Sequence, residues 1–532
     1  MSFAAAGCAA KTDADPEETG RTDEEALLVT GNGINTCGPA HNESCAAKVP
    51  VKISDSKTIL LAKYDVTAGR FRDFVTETNN NPRGWIAGHE PGFWNGPWRA
   101  KLASGNGVGN YWNDVGGYGY DWSVWLPSAA SDVSYLLGPW NFGIAGGDFM
   151  TFTGESSGAA PAVDWSMYGP ANEGCAVADF GARTYWQPNG STGDDNQYSR
   201  AALDKKALNC VSFYMLAAFC AWDGGRLPTT KELDAAWGAE TYPWGETVPF
   251  YADFSGNVVT NGPKDLADYG NSAGAVYASP AQVGNDMSNR LSIPGDFPKG
   301  AGPYGHDDLA GLVIGMTGDI TQATATEKDN ANGTTVTVAN APVVTWHRGG
   351  SWQGHKVAAV SPYHFVPTNK YVAMGGRCAY DTGAPPAASF PMGFHAQYFG
   401  DVSLGVSKGT RVDPFIAFGS KNFQNPAASA ATTPYSVRWT ASLTPRYSET
   451  YTFESIAGDG MRVWVNGVKI IDDWTTHTVQ THTGAIALTA GQSVAIRIEH
   501  YNAAGNGVSA KVLWKSPSQL VQVVPASALS PQ

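Results

Sequence analysis

From Met392 onward the chain alternates apolar and polar residues over short runs. Met461, Val463 and Val465 fall on one face of an extended segment and Arg462 and Trp464 on the other, which is the period of a half-buried strand. Asn466-Gly467 follows, then Val468-Lys469-Ile470-Ile471. Asn-Gly between two such runs predicts a tight hairpin, because both central residues of its turn need positive φ. Runs at Ile496-Arg497-Ile498-Glu499 and Ala510-Lys511-Val512-Leu513-Trp514 extend this to an all-β sandwich over residues 392–532.

Residues 50–385 follow a different pattern, with short helical patches between long irregular stretches. Thr67 is placed to cap a helix whose apolar face carries Phe71, Phe74 and Val75. Phe213, Leu216, Ala217 and Cys220 recur at helical spacing before the Gly224-Gly225 stop. Thr229 stands three residues before Glu232, a capping box that predicts a third helix beginning at Thr230. Residues 386–391, within the proline-rich stretch Asp381 to Pro391, read as a stiff linker. Residues 1–49 read as a separate N-terminal region, whose part from residue 9 to about 33 is acidic, nearly free of aromatics and too polar to offset its ordering entropy.

Composition narrows the picture. In 532 residues, 16% are charged and 11% aromatic, with 62 glycines, a mix that suits aromatic-packed, loop-rich, strand-containing domains. The net charge of −13 and the absence of any basic run argue against nucleic acid, whose binding leans on Lys and Arg neutralising phosphates. No apolar stretch is long enough to span a bilayer, so membrane attachment is expected only through a lipid anchor. The segment Ser2-Phe3-Ala4-Ala5-Ala6-Gly7-Cys8 resembles a bacterial lipobox lacking its upstream signal, with Cys8 as the lipidation site. The remaining cysteines are Cys37, Cys45, Cys175, Cys210, Cys220 and Cys378. They form no C-x-x-C pair and read as three disulfides in an oxidising compartment. Gly38-Pro39 is a turn that brings Cys37 toward Cys45; for the rest, spacing alone leaves the pairing open.

Seven strings then occur in order: Tyr64-Asp65-Val66-Thr67-Ala68-Gly69-Arg70-Phe71, Asn209-Cys210-Val211-Ser212-Phe213, Gly225-Arg226-Leu227-Pro228-Thr229, Tyr242-Pro243-Trp244-Gly245-Glu246, Gly305-His306-Asp307-Asp308-Leu309-Ala310-Gly311, Arg348-Gly349-Gly350-Ser351-Trp352 and Gly376-Arg377-Cys378. Together they resemble the formylglycine-generating enzyme family, or sulfatase-modifying factor domain, over residues 50–385. The resemblance implies an α+β variant of the C-type lectin fold, low in regular structure. It also implies a Cys220–Cys378 disulfide and, with it, Cys175–Cys210. Enzymes of that family hold copper through two cysteines, whose positions here carry Gly354 and Ala359. Cuprous ion wants thiolates and these residues supply none, so the sequence argues against copper and against formylglycine generation. The family's Gly-Asn-x-x-Glu calcium string is here Gly311-Leu312-Val313-Ile314-Gly315, without either oxygen side chain. His347, His355 and His364 lie near the degenerate site. With no carboxylate at useful spacing, they read as hydrogen-bonded core or surface histidines.

In the last domain, Gly393-Phe394-His395-Ala396-Gln397-Tyr398-Phe399, Val437-Arg438-Trp439-Thr440, Tyr451-Thr452-Phe453, the run Gly458 to Gly467 and Ile471-Asp472-Asp473-Trp474 resemble the PA14 domain, a β-sandwich. Its adhesin members bind sugars through calcium held by two consecutive aspartates. The corresponding loop here, Gly458-Asp459-Gly460, has one. Asp459 is therefore a calcium candidate with an incomplete donor set. Asp472 and Asp473 form a second candidate that reads equally well as a loop-shaping pair.

These readings give an exported or surface-anchored, non-catalytic protein that binds glycans or cell-surface polysaccharide, with Trp352, Gln353, His355 and Trp474 as candidate ligand-binding residues and calcium as the candidate cofactor. Aromatic rings suit the C–H face of a sugar. The alternatives are an oxidase of the formylglycine-generating type with an atypical site, and a structural envelope component with protein partners.

Overall fold

The computed structural model describes residues 33–89, 126, 184–185, 200–252, 258–268, 291–322, 326–328, 335–337, 343–351, 364–365, 373–418, 434–503 and 510–532. Two bodies emerge, a mixed α+β domain and a β-sandwich.

The first domain holds helices α1 (Ala68–Glu77), α2 (Pro82–Ile86), α3 (Arg200–Leu203), α4 (Phe213–Trp222) and α5 (Thr230–Trp237). Its strands are β1 (Lys48–Lys52), β2 (Thr58–Ala62), β3 (Phe250–Ala252), β4 (Val258–Asn261), β5 (Ile314–Gln322), β6 (Thr326–Lys328), β7 (Thr335–Thr337), β8 (Val343–Arg348), β9 (His364–Phe365), β10 (Met374–Gly375) and β11 (Ala379–Tyr380). They form sheets in the orders β1-β2-β11 and β10-β5-β8-β9, with β3-β4 and β6-β7 as hairpins.

The caps behave as the sequence predicts. Thr67 accepts the Arg70 N–H at the start of α1. Thr229 and Glu232 form a reciprocal capping box on α5, each satisfying a donor that helix geometry leaves orphaned. Helix α4 departs from expectation: every residue from Phe213 to Cys220 is buried, so the helix runs through the core instead of lying on it with one apolar face. Around it pack Phe71, Phe74, Met316, Met374 and Tyr380.

Cys37 is bonded to Cys45 and Cys220 to Cys378. Cys210 is also disulfide-bonded; its expected partner Cys175 and the lipidation candidate Cys8 lie outside the described residues. The boundary drawn at residue 49 is corrected. Strand β1 begins at Lys48 and pairs with β2 from Lys48↔Ala62 onward. The Cys37–Cys45 loop is anchored by the Gly38 N–H on the Pro294 carbonyl, so residues 33–49 are part of the packed domain.

The sandwich comprises β12 (Phe394–Phe399), β13 (Ser407–Asp413), β14 (Ala417–Phe418), β15 (Tyr435–Leu443), β16 (Glu449–Ala457), β17 (Met461–Val465), β18 (Val468–Asp473), β19 (Gln480–Leu488), β20 (Val494–Asn502), β21 (Ala510–Lys515), β22 (Gln522–Val523) and β23 (Leu529–Pro531). One sheet runs β13-β12-β15-β20-β17-β18 with β23 added on β15; the other runs β14-β21-β16-β19 with β22 on β21. Met461, Val463 and Val465 face the core and Arg462 and Trp464 face outward. Asn466 (φ 50) and Gly467 (φ 77) make the predicted turn.

The two bodies share one apolar seam. Trp237, Trp244 and Tyr304 of the first domain are buried with Phe415, Leu513 and Val523 of the sandwich in a single cluster. The intervening residues 386–391 are built into it: Phe390 is buried and stands edge-on to Tyr304 at 5.9 Å. Lys511 reaches Glu240 across the seam at 2.9 Å, and the Ser527 N–H donates to the Pro303 carbonyl.

Candidate functional site

One end of the sandwich is built by three loops, after β16, after β18 and after β20. Asp459, fully buried with φ 63, ties them together. Its carboxylate accepts the His477 N–H at 3.1 Å on one oxygen and the Ala503 N–H at 2.7 Å on the other, and its own N–H donates to the His477 carbonyl. The left-handed backbone suits an aspartate, whose short polar side chain bonds locally. Gly460 beside it lets the loops close: an added Cβ would come within 2.6 Å of the Tyr501 ring and 2.8 Å of the Trp474 Cα.

The consecutive aspartates do not act together. Asp472 is exposed and pairs with Lys469 at 2.6 Å. Asp473 points inward, accepting from Thr475 Oγ1 at 2.7 Å and facing His477 Nε2 at 2.6 Å. Alternation along β18 puts them on opposite faces. For calcium, Asp459 offers oxygens already engaged by two N–H groups and a glycine precedes it, so the described donors fall short of the six to eight oxygens that ion takes.

Trp474 is half-buried, with the Arg462 guanidinium 3.9 Å above its ring and Tyr501 at 4.7 Å. The platform continues over the outer sheet face, where Trp464 lies under Arg497 at 3.9 Å. Glu499, buried, accepts from Arg438 at 2.8 Å and Arg462 at 2.6 Å, which holds the arginines in place. His477, His482, Tyr501 and Arg462 were not candidates from the sequence. They reach this end through loop closure and cross-strand pairing, which no local signal in the sequence announces.

In the first domain the altered string Gly311 to Gly315 puts an apolar residue where the family uses an oxygen donor. Leu312 adopts φ 52 and is fully buried in the core, so the described residues here do not fit calcium. Nearby polar groups are structural: Arg377 pairs with Asp65 at 2.9 Å and donates to the carbonyls of Lys63 and Asp307. Burial pushes Asp307 up to about 7 and His306 down to about 3. Trp352, Gln353, His355 and the positions Gly354 and Ala359 lie outside the described residues. Between the domains a cleft of about 340 Å³ is lined by Glu43, Lys63 and Asp307 on one side and by Arg446, Tyr447 and Trp514 on the other.

Comparison with known proteins places both bodies. Residues 11–382 match the family model of the sulfatase-modifying factor enzyme 1-like domain, and residues 398–527 match that of the PA14 domain. The anti-sigma-I factor RsgI3 of Acetivibrio thermocellus is 38% identical over 139 residues, covering 26% of this chain and 21% of that protein. Among solved structures, an anti-sigma factor domain-containing protein is 37% identical over 26% of this chain and 48% of its own, with a TM-score of 0.25. A PA14 sugar-binding domain from an RTX adhesin is 16% identical over 27% of this chain and 99% of its own, with a TM-score of 0.22. The chain thus spans about a fifth of the curated relative it matches. Among the described residues no helix is long and apolar enough to cross a membrane.

Proposed function

Since the chain belongs to the family of sulfatase-modifying factor enzyme 1-like domains and carries a PA14 domain after it, we propose that it is an exported, surface-located binding protein that recognises glycans at the loop end of its sandwich. The observation that carries this reading is the Trp474–Arg462–Tyr501 platform beside loops pinned by Asp459. An aromatic face takes the C–H side of a sugar ring, and arginines held by Glu499 offer donors to hydroxyl or carboxylate groups at its edge. Disulfides in the first domain support an oxidising location. The copper of the family's enzymes has no ligand set in Gly354 and Ala359, because neither side chain carries a donor atom, so no oxidation step is assigned.

The test is a glycan and cell-wall polysaccharide array probed with the full chain, in calcium and then in chelator. Wild type is expected to bind a subset of glycans, and Trp474→Ala to lose about tenfold or more in affinity while unfolding at nearly the wild-type temperature. A silent array in both conditions would overturn glycan recognition and favour a protein partner.

A further inference from the structure

Asp473, His477 and His482 bring one carboxylate oxygen and two imidazole nitrogens within 4.8 Å of one another. We propose that they form a three-ligand site for a divalent transition-metal ion of the zinc class, distinct from any calcium site at Asp459.

Three features of the geometry support it. First, two of the three ligands, His477 and Asp473, are oriented by a partner on their other side. His477 Nδ1 lies 2.5 Å from the Thr478 carbonyl, which fixes the proton on Nδ1 and leaves the Nε2 lone pair facing Asp473. Thr475 Oγ1 holds Asp473 Oδ1 and leaves Oδ2 turned toward both histidines. A carbonyl or hydroxyl behind the ligand is the usual outer support of a metal centre.

Second, His477 Nε2 and Asp473 Oδ2, at 2.6 Å, are two acceptors when Nδ1 carries the ring proton. Such a contact needs a cation between the atoms, either a proton or a metal. Among the described residues His482 Nε2 has no hydrogen-bond partner, and it lies 3.4 Å from the same oxygen. Ligand atoms about 2.0–2.2 Å from a tetrahedral zinc sit about 3.3–3.5 Å apart. The His482 distance already matches, and the His477 distance needs to open by under about 1 Å.

Third, the donor set selects the ion. Two imidazoles and one carboxylate suit zinc and its neighbours, whereas calcium takes oxygens. The side chains of Asp473 and His477 are about one-tenth exposed, and that of His482 is 40% exposed while its Nε2 is buried, so the ligand atoms lie just beneath the surface. Three protein ligands leave a fourth position for water or an incoming oxygen. Asp473 ends β18 in one sheet and His482 lies on β19 in the other, so the ion would link the two sheets where the loop carrying His477 crosses between them.

The experiment uses the tag-free full chain, stripped with chelator and reloaded with zinc or cobalt in the absence of any glycan, which keeps it independent of the recognition reading. Elemental analysis is expected to find about one ion per chain, and cobalt to give the intense visible bands of a tetrahedral site. His477→Ala and His482→Ala should weaken uptake by about 100-fold or more, and Asp472→Asn should leave it unchanged. Should His477→Ala fail to fold, His482→Gln on the outer strand carries the test, with its unfolding in chelator compared to wild type. No uptake by wild type, or an unaltered cobalt spectrum in the His477→Ala/His482→Ala chain, would overturn the site.

Discussion

In the first domain the buried residues come from segments far apart in sequence: Phe71, Met316 and Tyr380 meet around helix α4, and Cys220 is joined to Cys378 across 158 residues. In the sandwich, burial follows from alternation along strands that pair in long uninterrupted ladders such as Tyr435–Leu443 on Val494–Asn502, and no disulfide is found among its described residues. The contrast shows two ways of holding irregular loops on a core. One shortens the unfolded chain's freedom by covalent closure; the other sets position by backbone register.

Removing that closure should give the largest effect. Cys220→Ala with Cys378→Ala opens the 158-residue loop and is expected to cost roughly 4–5 kcal/mol by loop entropy. Hydrogen exchange should show it in peptides around α4, with β15 and β20 little changed. Equal loss of protection in both domains would break the comparison.

Next in size is pH. Burial pushes Asp268 and Asp307 up to about 7. In the sandwich, hydrogen bonds from Ser403, Val406 and Gly405 hold Asp401 down to about 2, and Ser516 and Ser518 hold Glu449 low. A carboxyl raised on folding contributes stability below its unfolded pKa and loses it as pH rises through the folded value. Through these two groups the first domain should therefore lose stability as pH rises from about 4 to 7. The sandwich gains stability only as pH climbs out of the acid range. Unfolding at pH 5 and 7.5, followed domain by domain, checks the sign.

Smaller effects sharpen the account of the loop end. Asp459→Ala leaves two part-buried N–H groups without their acceptor and is expected to cost about 2 kcal/mol, with loss of array signal; chemical denaturation measures it. Gly467→Ala meets no atom within 4 Å but keeps φ 77, so it should cost about 1 kcal/mol from backbone strain alone.

The sequence carried the sandwich well because alternation at Met461 to Val465 and the Asn-Gly turn are local signals. Caps at Thr67 and Thr229 were legible for the same reason. The enclosure of α4 on every side was not, since a helix's surroundings are set by distant segments. The loop end was half legible: Trp474 and Asp459 stood out as residue types, whereas Asp472 and Asp473 looked like a pair until strand geometry separated them. The grouping of Asp473 with His477 and His482 depends on how a loop folds back onto a neighbouring strand, which no spacing rule encodes.

The apolar seam has a mechanical consequence. Trp237, Tyr304 and Phe390 lie against Phe415 and Leu513, and the Lys511–Glu240 pair spans the same boundary. The sandwich is thus mounted like a bracket, not tethered like a float. A tug on its loop end is transmitted as shear through packed side chains into the neighbouring body, and the bearing of that end on the rest of the molecule stays set under load.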